Sequence, residues 1–360
     1  MMCRTSECVS LGHPDKVADY VASYLLDRYL ERDPAARFAM ECQIKDSYVT
    51  LGGEVTSAAG FREDEIADMV RSAIREIGYT AAYASRWPAG ATLDADRVDV
   101  VAHIGRQSPD IARGVDSDGW GDQGIFWGMA SRSPETGGMP LDIHLARGLC
   151  AELHGMALDG RLDAGLDIKS QVSVDAFGRV DRVVVAIPLL DGDTVAEVRC
   201  AVERFVSERA DGTPEITVNG TGAYVRHASQ GDCGTTGRKL AADLYGGNCR
   251  IGGGCPWGKD PTKADVALNA YARRKAVEFL ASHAGFGLDE VHVAISCCIG
   301  RRDIRVEYLD GRMGSVAAET ESRPVREIIA ELGLDAPVYA SLCRDGLVEG
   351  VDGLAAHRGA

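Results

Sequence analysis

The chain has 360 residues, with 39 Lys and Arg against 54 Asp and Glu, and a formal net charge of −15. Nucleic acids and anionic membranes bind net basic surfaces, so this balance argues against both as main partners. No apolar run approaches the ~20 residues of a membrane span, and residues 1–16 lack the apolar core of a secretory signal. We therefore expect a cytoplasmic globular protein of two or three domains, or one large interwoven unit.

The eleven cysteines do not show the spacing of a zinc site or a disulfide framework. There is no Cys-x-x-Cys, and the closest clusters are Cys249 with Cys255 and the adjacent pair Cys297-Cys298. Without secretory features, free thiols in a reducing cytosol are expected.

The first strong local signal is the segment His13-Pro14-Asp15-Lys16, which follows a short polar stretch at residues 3–12. Apolar residues then recur at helical spacing over residues 17–29. Proline and aspartate at this point are typical of a helix start, where free N–H groups and the helix dipole favour anions. An ordinary capped surface helix is the alternative interpretation.

The later elements alternate between paired strands and helices. Strands are predicted over residues 38–44, 48–51, 98–104, 170–175, 180–188, 215–219, 291–299 and 305–309. Helices are predicted over residues 63–77, 139–153, 194–207, 264–281 and 323–332. Strand pairs followed by a helix recur about three times, which indicates an α+β fold of mixed or antiparallel sheets with helices on one face.

Three segments are expected, at residues 1–108, 116–225 and 226–360, and we expect them to be interleaved in space. The long polar stretch at residues 105–124 lies between predicted elements. A loop of this length in a compact protein is usually functional, often as a lid.

Two glycine-rich windows, residues 231–239 and 252–263, stand against the acidic background of the chain. Glycines let the backbone approach a ligand closely, and four basic side chains in these windows suit a polyphosphate: Arg238, Lys239, Lys259 and Lys263. The pattern Gly253-x4-Gly258-Lys259 nearly fits a P-loop, but Asp260 follows where Ser or Thr is needed, and no strand leads into it. A nucleotide phosphate site of another kind is therefore predicted.

Acidic residues also recur in polar, glycine-rich surroundings: Asp15, Glu41, Glu54, Asp122, Asp167, Asp232 and Asp265. Hard oxygen ligands beside a phosphate site indicate magnesium. Each carboxylate alone is also compatible with a solvated surface or a helix cap, and spacing does not bring them together. A Gly-x-Ser-x-Gly elbow and a strand followed by Gly-x-Gly-x-x-Gly are both missing, which argues against a serine hydrolase and a Rossmann fold.

Taken in order, seven motifs resemble those of the S-adenosylmethionine synthetase (methionine adenosyltransferase) family, over about residues 5 to 300. They are residues 12–16 (Gly-His-Pro-Asp-Lys), 52–54 (Gly-Gly-Glu), 105–111, 121–124 (Gly-Asp-Gln-Gly), 167–172, 231–239 and 252–263. The resemblance implies three α+β units about a pseudo-threefold axis. It also implies a homo-oligomer, at least a dimer, with active sites between subunits.

The resemblance implies a reaction in which methionine sulfur attacks C5′ of ATP and expels triphosphate, which is then cut to phosphate and pyrophosphate. The implied catalytic residues are His13, Lys16, Arg238, Lys239 and Lys259. ATP would be bound by His13, Asp167, Lys169, Tyr224, Asp232, Arg238, Lys239, Cys255 and Lys259. Methionine would be bound by Glu54, Gln107, Asp122, Asp232, Lys263 and Ile299. Two Mg²⁺ ions would be held by Asp15 and Asp265, and K⁺ by Glu41.

The chain also departs from the family pattern. Gly165-Leu166 stands in place of an Arg-Pro pair, Ala223 in place of an arginine, and residues 226–229 (Arg-His-Ala-Ser) in place of a glycine-glycine-proline turn. The lid is shorter, and the C-terminal signature of the family is missing. Two alternatives therefore stay open: an adenosyltransferase for a methionine analogue in secondary metabolism, and a non-catalytic regulatory homologue.

Overall fold

The computed structural model describes residues 3–106 and 119–358. The strands within these ranges are β1 (Arg4–Val9), β2 (Arg37–Lys45), β3 (Tyr48–Thr56), β4 (Asp99–Gly105), β5 (Gly124–Ser131), β6 (Lys169–Val174), β7 (Val180–Ala186), β8 (Glu215–Val218), β9 (Gly234–Thr235), β10 (Glu290–Cys297), β11 (Asp303–Asp310) and β12 (Ser315–Ser322). The α-helices are α1 (Pro14–Arg32), α2 (Glu63–Ile77), α3 (Ala81–Ala84), α4 (Leu141–Leu158), α5 (Val195–Arg209), α6 (Leu240–Asp243), α7 (Ala264–Ser282), α8 (Val325–Leu332), α9 (Tyr339–Asp345) and α10 (Leu347–Arg358). None of these helices combines the length and the apolar character needed to cross a membrane.

The strands form three four-stranded sheets, with the orders β1-β6-β7-β8, β4-β3-β2-β9 and β12-β11-β10-β5. Each sheet has a central antiparallel hairpin, flanked on one side by an antiparallel strand from elsewhere in the chain: β1, β9 or β5. Strands β4 and β8 join the other side in parallel, because α2 and α5 carry the chain back along the sheet. Strand β12 follows β11 directly and is antiparallel to it.

A long helix precedes each central hairpin and packs against its sheet. Helix α1 contacts β2 and β9, α4 contacts β1 and β6, and α7 contacts β5 and β10. The predicted α+β class with three related units is confirmed. The segment boundaries after residues 108 and 225 stay a prediction.

Helix α1 lies in the core, where it packs against β2, α2 and α9. Its apolar residues Val17, Tyr20 and Val21 are fully buried, and so are the polar residues Asp15 and Asp19, at 1% and 0% exposure. A surface helix would leave its polar face in water. The interpretation of this segment as an ordinary capped surface helix is therefore wrong, and its buried carboxylates need partners from other parts of the chain.

Several elements were absent from the sequence prediction. Strand β1 lies in the stretch considered short and polar, β5 begins where the long loop was expected to end, and β12, α9 and α10 follow the last predicted strand or helix. Strand β12 is mostly exposed, so its residues lack a clear apolar alternation. The predicted lid over residues 107–116 lies outside the described residues.

Candidate active site

His13 is the N-cap of α1, with its Nδ1 accepting a hydrogen bond of 3.2 Å from the backbone N–H of Asp15. The side chain is 1% exposed. Burial, and then the charges of Lys169 and Lys239, lower the pKa of His13 to about 3. The imidazole is therefore neutral at pH 7, and because Nδ1 is an acceptor, the proton lies on Nε2. His13 is thus an uncharged hydrogen-bond donor.

Asp15 lies beside His13, and its carboxylate is 1% exposed. It accepts hydrogen bonds from Lys239 Nζ and from the backbone N–H of Thr235 at 2.9 Å, and Arg238 lies 3.6 Å away. Burial opposes ionisation, but the hydrogen bonds from Lys239 and Thr235 hold the pKa of Asp15 below its usual value. Asp15 is therefore an ionised carboxylate with two cations beside it.

Asp167 contributes a second carboxylate to the same region, and it is 9% exposed. Its Oδ2 accepts a hydrogen bond of 3.0 Å from Ala228 N–H, whereas Oδ1 has no hydrogen-bond partner in the described part of the chain. Burial raises the pKa of Asp167 to about 6. A buried acceptor without a partner is costly, so this oxygen fits a hydroxyl group of a ligand. Tyr224 lies alongside and donates its O–H to the carbonyl of Asp167 at 3.2 Å.

The residues around these three side chains form a group that we call the nucleotide cluster. Its members are His13, Asp15, Asp167, Lys169, Tyr224, Asp232, Arg238 and Lys239. The loops at Gly12 and Leu166 that carry it are in direct contact, because a Cβ atom on Gly12 would overlap the carbonyl oxygen of Leu166. Glycine at position 12 is therefore required for this arrangement.

A second group of predicted residues forms around the ion pair of Lys259 with Asp265. The backbone of Lys259 pairs with Ala39 in β2, which in turn lies opposite Glu54 in β3. Asp265 is packed closely against the backbone of Gly254, since a Cβ there would overlap its carboxylate.

Asp122 and Ile299 belong to the same group. The thiol of Cys297 donates a hydrogen bond of 3.5 Å to the carbonyl of Asp122. Burial, and then the charge of Asp122, raise the pKa of Cys297 to about 12, and Asp265 contributes to the same effect. Ile299 is 50% exposed and pairs through its backbone with Trp120. We call Glu54, Asp122, Lys259, Asp265 and Ile299 the acidic cluster.

The structure does not join the two clusters. No hydrogen bond or ion pair links them across residues 3–106 and 119–358. The same ranges contain no group of three or more His, Cys, Asp or Glu side chains placed to hold a metal ion. Asp15 and Asp265, the two predicted magnesium ligands, lie in different clusters. Asp15 lies beside Arg238 and Lys239, and Asp265 beside Lys259. Carboxylate oxygens suit Mg²⁺.

Lys16 lies in the core rather than on an open face, at 4% exposure. Its Nζ donates a hydrogen bond of 2.7 Å to Asp243 and lies 3.2 Å from Asp19, with the ring of Trp257 at 4.4 Å. Trp257 Nε1 donates to the other oxygen of Asp243 at 2.7 Å. This buried ion cluster satisfies the Lys16 charge within the protein, and the role of Lys16 on phosphate stays a prediction.

The other predicted residues are more peripheral. Lys263 pairs with the fully buried Asp260 at 3.0 Å. Glu41 is exposed on β2. Cys255 packs against Gly237 and so connects the two glycine-rich windows. Gln107 lies outside the described residues.

The sequence does not indicate the role of the residues that hold these clusters in place, in particular Asp243, Trp257, Tyr79, Tyr83 and His227. Asp243 is 227 positions from its partner Lys16. No local pattern marks such a pair, because each residue alone has the character of an ordinary polar or aromatic position.

The comparisons with known proteins agree with this architecture. Residues 1–109 match the family described as S-adenosylmethionine synthetase, N-terminal domain, and residues 227–352 match its C-terminal domain. The S-adenosylmethionine synthase of Deinococcus radiodurans is 33% identical over 389 residues, covering 95% of this chain and 92% of that protein. The one from Sulfurovum sp. is 37% identical over 313 residues, covering 82% of this chain and 77% of that protein.

A solved structure, described as an unusual S-adenosylmethionine synthetase from Campylobacter jejuni, superposes with a TM-score of 0.84 at 28% identity and covers 99% of both chains. The relatives are thus enzymes of a single class, the synthases that form S-adenosylmethionine. The chain belongs to the S-adenosylmethionine synthetase family. Members of this family are generally metal-dependent, and ATP and methionine are the substrates that the family implies.

Proposed function

We propose that this chain transfers the adenosyl group of ATP to the sulfur of methionine, and that it cleaves the released triphosphate to phosphate and pyrophosphate. The observation that carries the proposal is the nucleotide cluster on a chain of this family. A neutral donor at His13 and a free buried acceptor at Asp167 Oδ1 belong to one cluster with the cations Arg238 and Lys239. These groups match the ribose hydroxyls and the phosphates of a nucleotide.

The chemical step needs charge stabilisation at the leaving oxygen. The sulfur lone pair forms the bond to C5′ while the bond from C5′ to oxygen breaks, and its electron pair stays on the triphosphate. Donors and cations aimed at the place where charge develops lower the barrier most. His13 Nε2–H would donate to the departing oxygen, and Arg238, Lys239 and Lys259 would hold phosphate oxygens. Two Mg²⁺ ions at Asp15 and Asp265, when bound, would neutralise triphosphate charge.

The acidic cluster suits an amino acid. We propose that Glu54 and Asp232 hold the methionine ammonium, with Asp122 nearby, while Lys263 and Gln107 lie on its carboxylate side. The exposed side chain of Ile299 offers an apolar surface for the thioether. We also propose Glu41 as a K⁺ ligand.

Two copies of the chain would complete each site. No hydrogen bond or ion pair joins the two clusters within the described part of one chain. The outer face of the sheet β4-β3-β2 carries Glu41 and Glu54 beside the exposed side chains of Tyr48 and Val101, at 64% and 50% exposure. A face of this kind buries its apolar side chains in a homodimer. We propose a dimer in which the nucleotide cluster of one copy faces the acidic cluster of the other.

Complementation between two inactive variants tests the shared site. His13→Ala and Asp265→Ala should each be nearly inactive alone. When the two are co-expressed, half of the dimers are mixed and each mixed dimer has one intact site of two, so about a quarter of wild-type activity should return. A site built within one chain would gain no activity from the mixture.

The chemistry is tested by incubating the protein with ATP, methionine, Mg²⁺ and K⁺, followed by mass spectrometry and phosphate analysis. S-adenosylmethionine with phosphate and pyrophosphate is expected. A sulfonium product with intact triphosphate would contradict the second step, and activity that is higher with a methionine analogue would favour the alternative substrate. Omitting Mg²⁺ or K⁺ tests the two ions.

A cytoplasmic location is proposed as well, supported by eleven cysteines that are all free thiols.

A further inference from the structure

We infer that Tyr79, Tyr83 and His227 form a buried support that positions the His13 and Asp167 loops for the nucleotide, although none of the three is a catalytic residue. This inference rests on the proposed function of the nucleotide cluster. We call the three side chains the tyrosine–histidine support.

Tyr79 supports the His13 loop from behind. It is fully buried, and its O–H donates a hydrogen bond of 2.5 Å to the carbonyl of Gly12, the residue before His13. A carbonyl fixed in this way sets the direction of the peptide that leads into the N-cap. Tyr79 also packs edge-on against Tyr83, with ring centroids 5.5 Å apart.

Tyr83 supports the Asp167 loop in the same way. Its hydroxyl oxygen accepts a hydrogen bond of 3.1 Å from the backbone N–H of Leu166, the residue before Asp167. The same hydroxyl lies 2.8 Å from His227 Nε2. The backbones of Gly12 and Leu166 are in contact. The two tyrosines therefore fix the two sides of the contact between the His13 and Asp167 loops.

The hydrogen bonds through His227 run in one direction. Its Nδ1 lies 2.7 Å from the carbonyl of Val225, which only accepts, so Nδ1 carries the proton and donates. Nε2 is then an acceptor, and it receives the O–H of Tyr83. The Tyr83 oxygen is left free to accept from Leu166. Each group in this series of hydrogen bonds has a partner, so the orientations of the Tyr83 hydroxyl and the His227 ring are fixed together.

His227 also acts on the ligand side. Its neighbour Ala228 donates its backbone N–H to Asp167 Oδ2, and does so from a left-handed conformation with φ +53°. Non-glycine residues rarely adopt this conformation, and the surrounding structure must hold it. The His227 ring, 1% exposed and packed 4.4 Å from the ring of Trp87, provides that hold.

Position 165 shows how closely the His227 ring is enclosed. A Cβ atom on Gly165 would lie 2.6 Å from Pro188 and 3.2 Å from His227 Nε2. A side chain there would push on the acceptor atom of the hydrogen-bond chain. Glycine at 165 and histidine at 227 therefore fit each other.

Tyr83→Phe tests the support, with Tyr339→Phe as the matched control. Tyr339 is 2% exposed and donates its O–H to the carbonyl of Leu334 at 2.7 Å, so Tyr339→Phe removes one buried tyrosine hydrogen bond, but it touches neither loop. Tyr83→Phe removes two buried hydrogen bonds, one to His227 and one from Leu166. We expect it to raise the Kd and KM for ATP about tenfold, because the Leu166 amide loses its acceptor, and to leave the KM for methionine within about twofold. The control should keep both values while its thermal stability falls, because it loses a buried hydrogen bond away from the two loops.

His227 gives a second pair of variants. His227→Gln retains an amide oxygen that can accept from Tyr83, and His227→Leu does not. We expect the glutamine variant to keep ATP affinity within about threefold of wild type and the leucine variant to lose about tenfold or more. Equal losses in the two variants, or an unchanged ATP affinity in Tyr83→Phe, would overturn the inference.

Measuring ATP binding by calorimetry, besides turnover, separates this inference from the proposed reaction. Weaker ATP binding by Tyr83→Phe supports the tyrosine–histidine support even if wild type forms no sulfonium from methionine, which would refute only the reaction. Normal turnover by wild type together with unchanged ATP binding by Tyr83→Phe refutes only the support. A wild-type protein that binds no ATP refutes both.

Discussion

Replacing His13 by asparagine separates its two roles. The first is to cap α1 through Nδ1, and the second is to donate a hydrogen bond from Nε2–H. Asparagine is among the preferred N-cap residues, so it can accept a backbone N–H at the start of the helix as His13 Nδ1 does. It does not reach the position of Nε2. The variant should therefore keep the helix start and lose the donor.

The expected loss follows from the state of the imidazole. His13 is neutral and buried, so its Nε2–H acts in a site with little water, where one donor to a developing oxyanion is worth ~10²–10³ in kcat, or ~2.7–4 kcal/mol. The contact strengthens only as charge develops, so ATP affinity should change far less than the rate. His13→Ala should show the same reduction in kcat. It should also lose ~0.5–2 kcal/mol of stability, because the helix cap is missing.

A single-turnover assay with enzyme in excess measures sulfonium formation directly, and calorimetry measures the Kd for ATP. Because burial, Lys169 and Lys239 hold the pKa of His13 at about 3, the wild-type chemical step should show no titration of this residue near pH 6.5. Equal losses in rate and ATP affinity would refute the donor role. A titration near pH 6.5 that disappears in His13→Asn would refute the neutral imidazole.

Three further outcomes are expected. Burial raises the pKa of Asp167 to about 6, so acid protonates its carboxylate. ATP affinity should therefore fall more steeply below pH 6 in wild type than in Asp167→Asn, and calorimetry across pH checks this. Lys16→Met should lower the free energy of unfolding by ~3–5 kcal/mol, measured in denaturant, because it leaves the buried carboxylate of Asp243 without its cation. The double variant Lys16→Met with Asp243→Asn should recover part of the loss. Full stability of Lys16→Met with lost activity would instead favour a role of Lys16 on phosphate. Asp27→Ala should cost ~0.5–2 kcal/mol in thermal unfolding, because this carboxylate caps α9 at the amide of Tyr339; an unchanged melting temperature would contradict the cap.

The sequence predicted best what is local. Helix α2 was predicted at the bounds observed, since its apolar spacing is regular and Gly78 ends it in a left-handed conformation with φ +119°. Strand β1 was missed because only Ser6 and Cys8 face the core, and its partner β6 lies more than a hundred residues away. Strand β6 is predicted from its own residues, but nothing local in it indicates residues 4–9 as its partner.

The same limit applies to the site. His13 and Asp15 were found because a short motif places both at one helix start. The motif gave no sign that Lys16 would point into the core, because its partner Asp243 lies far along the chain. Tyr83 and His227 were missed for the same reason, since their contact spans 144 residues.

The exchange of strands between units has a consequence for synthesis on the ribosome. Strand β1 emerges first, but its partner among the described strands is β6, which ends at residue 174. Strand β5 pairs with β10, which is synthesised about 160 residues later, and the sheet around β2 is complete when β9 has been synthesised. Each early strand therefore leaves the ribosome with an unpaired edge, and such edges favour aggregation. The nascent chain is thus most exposed before β9 and β10 arrive, and truncation after residue 108 or 225 would leave unfinished sheets.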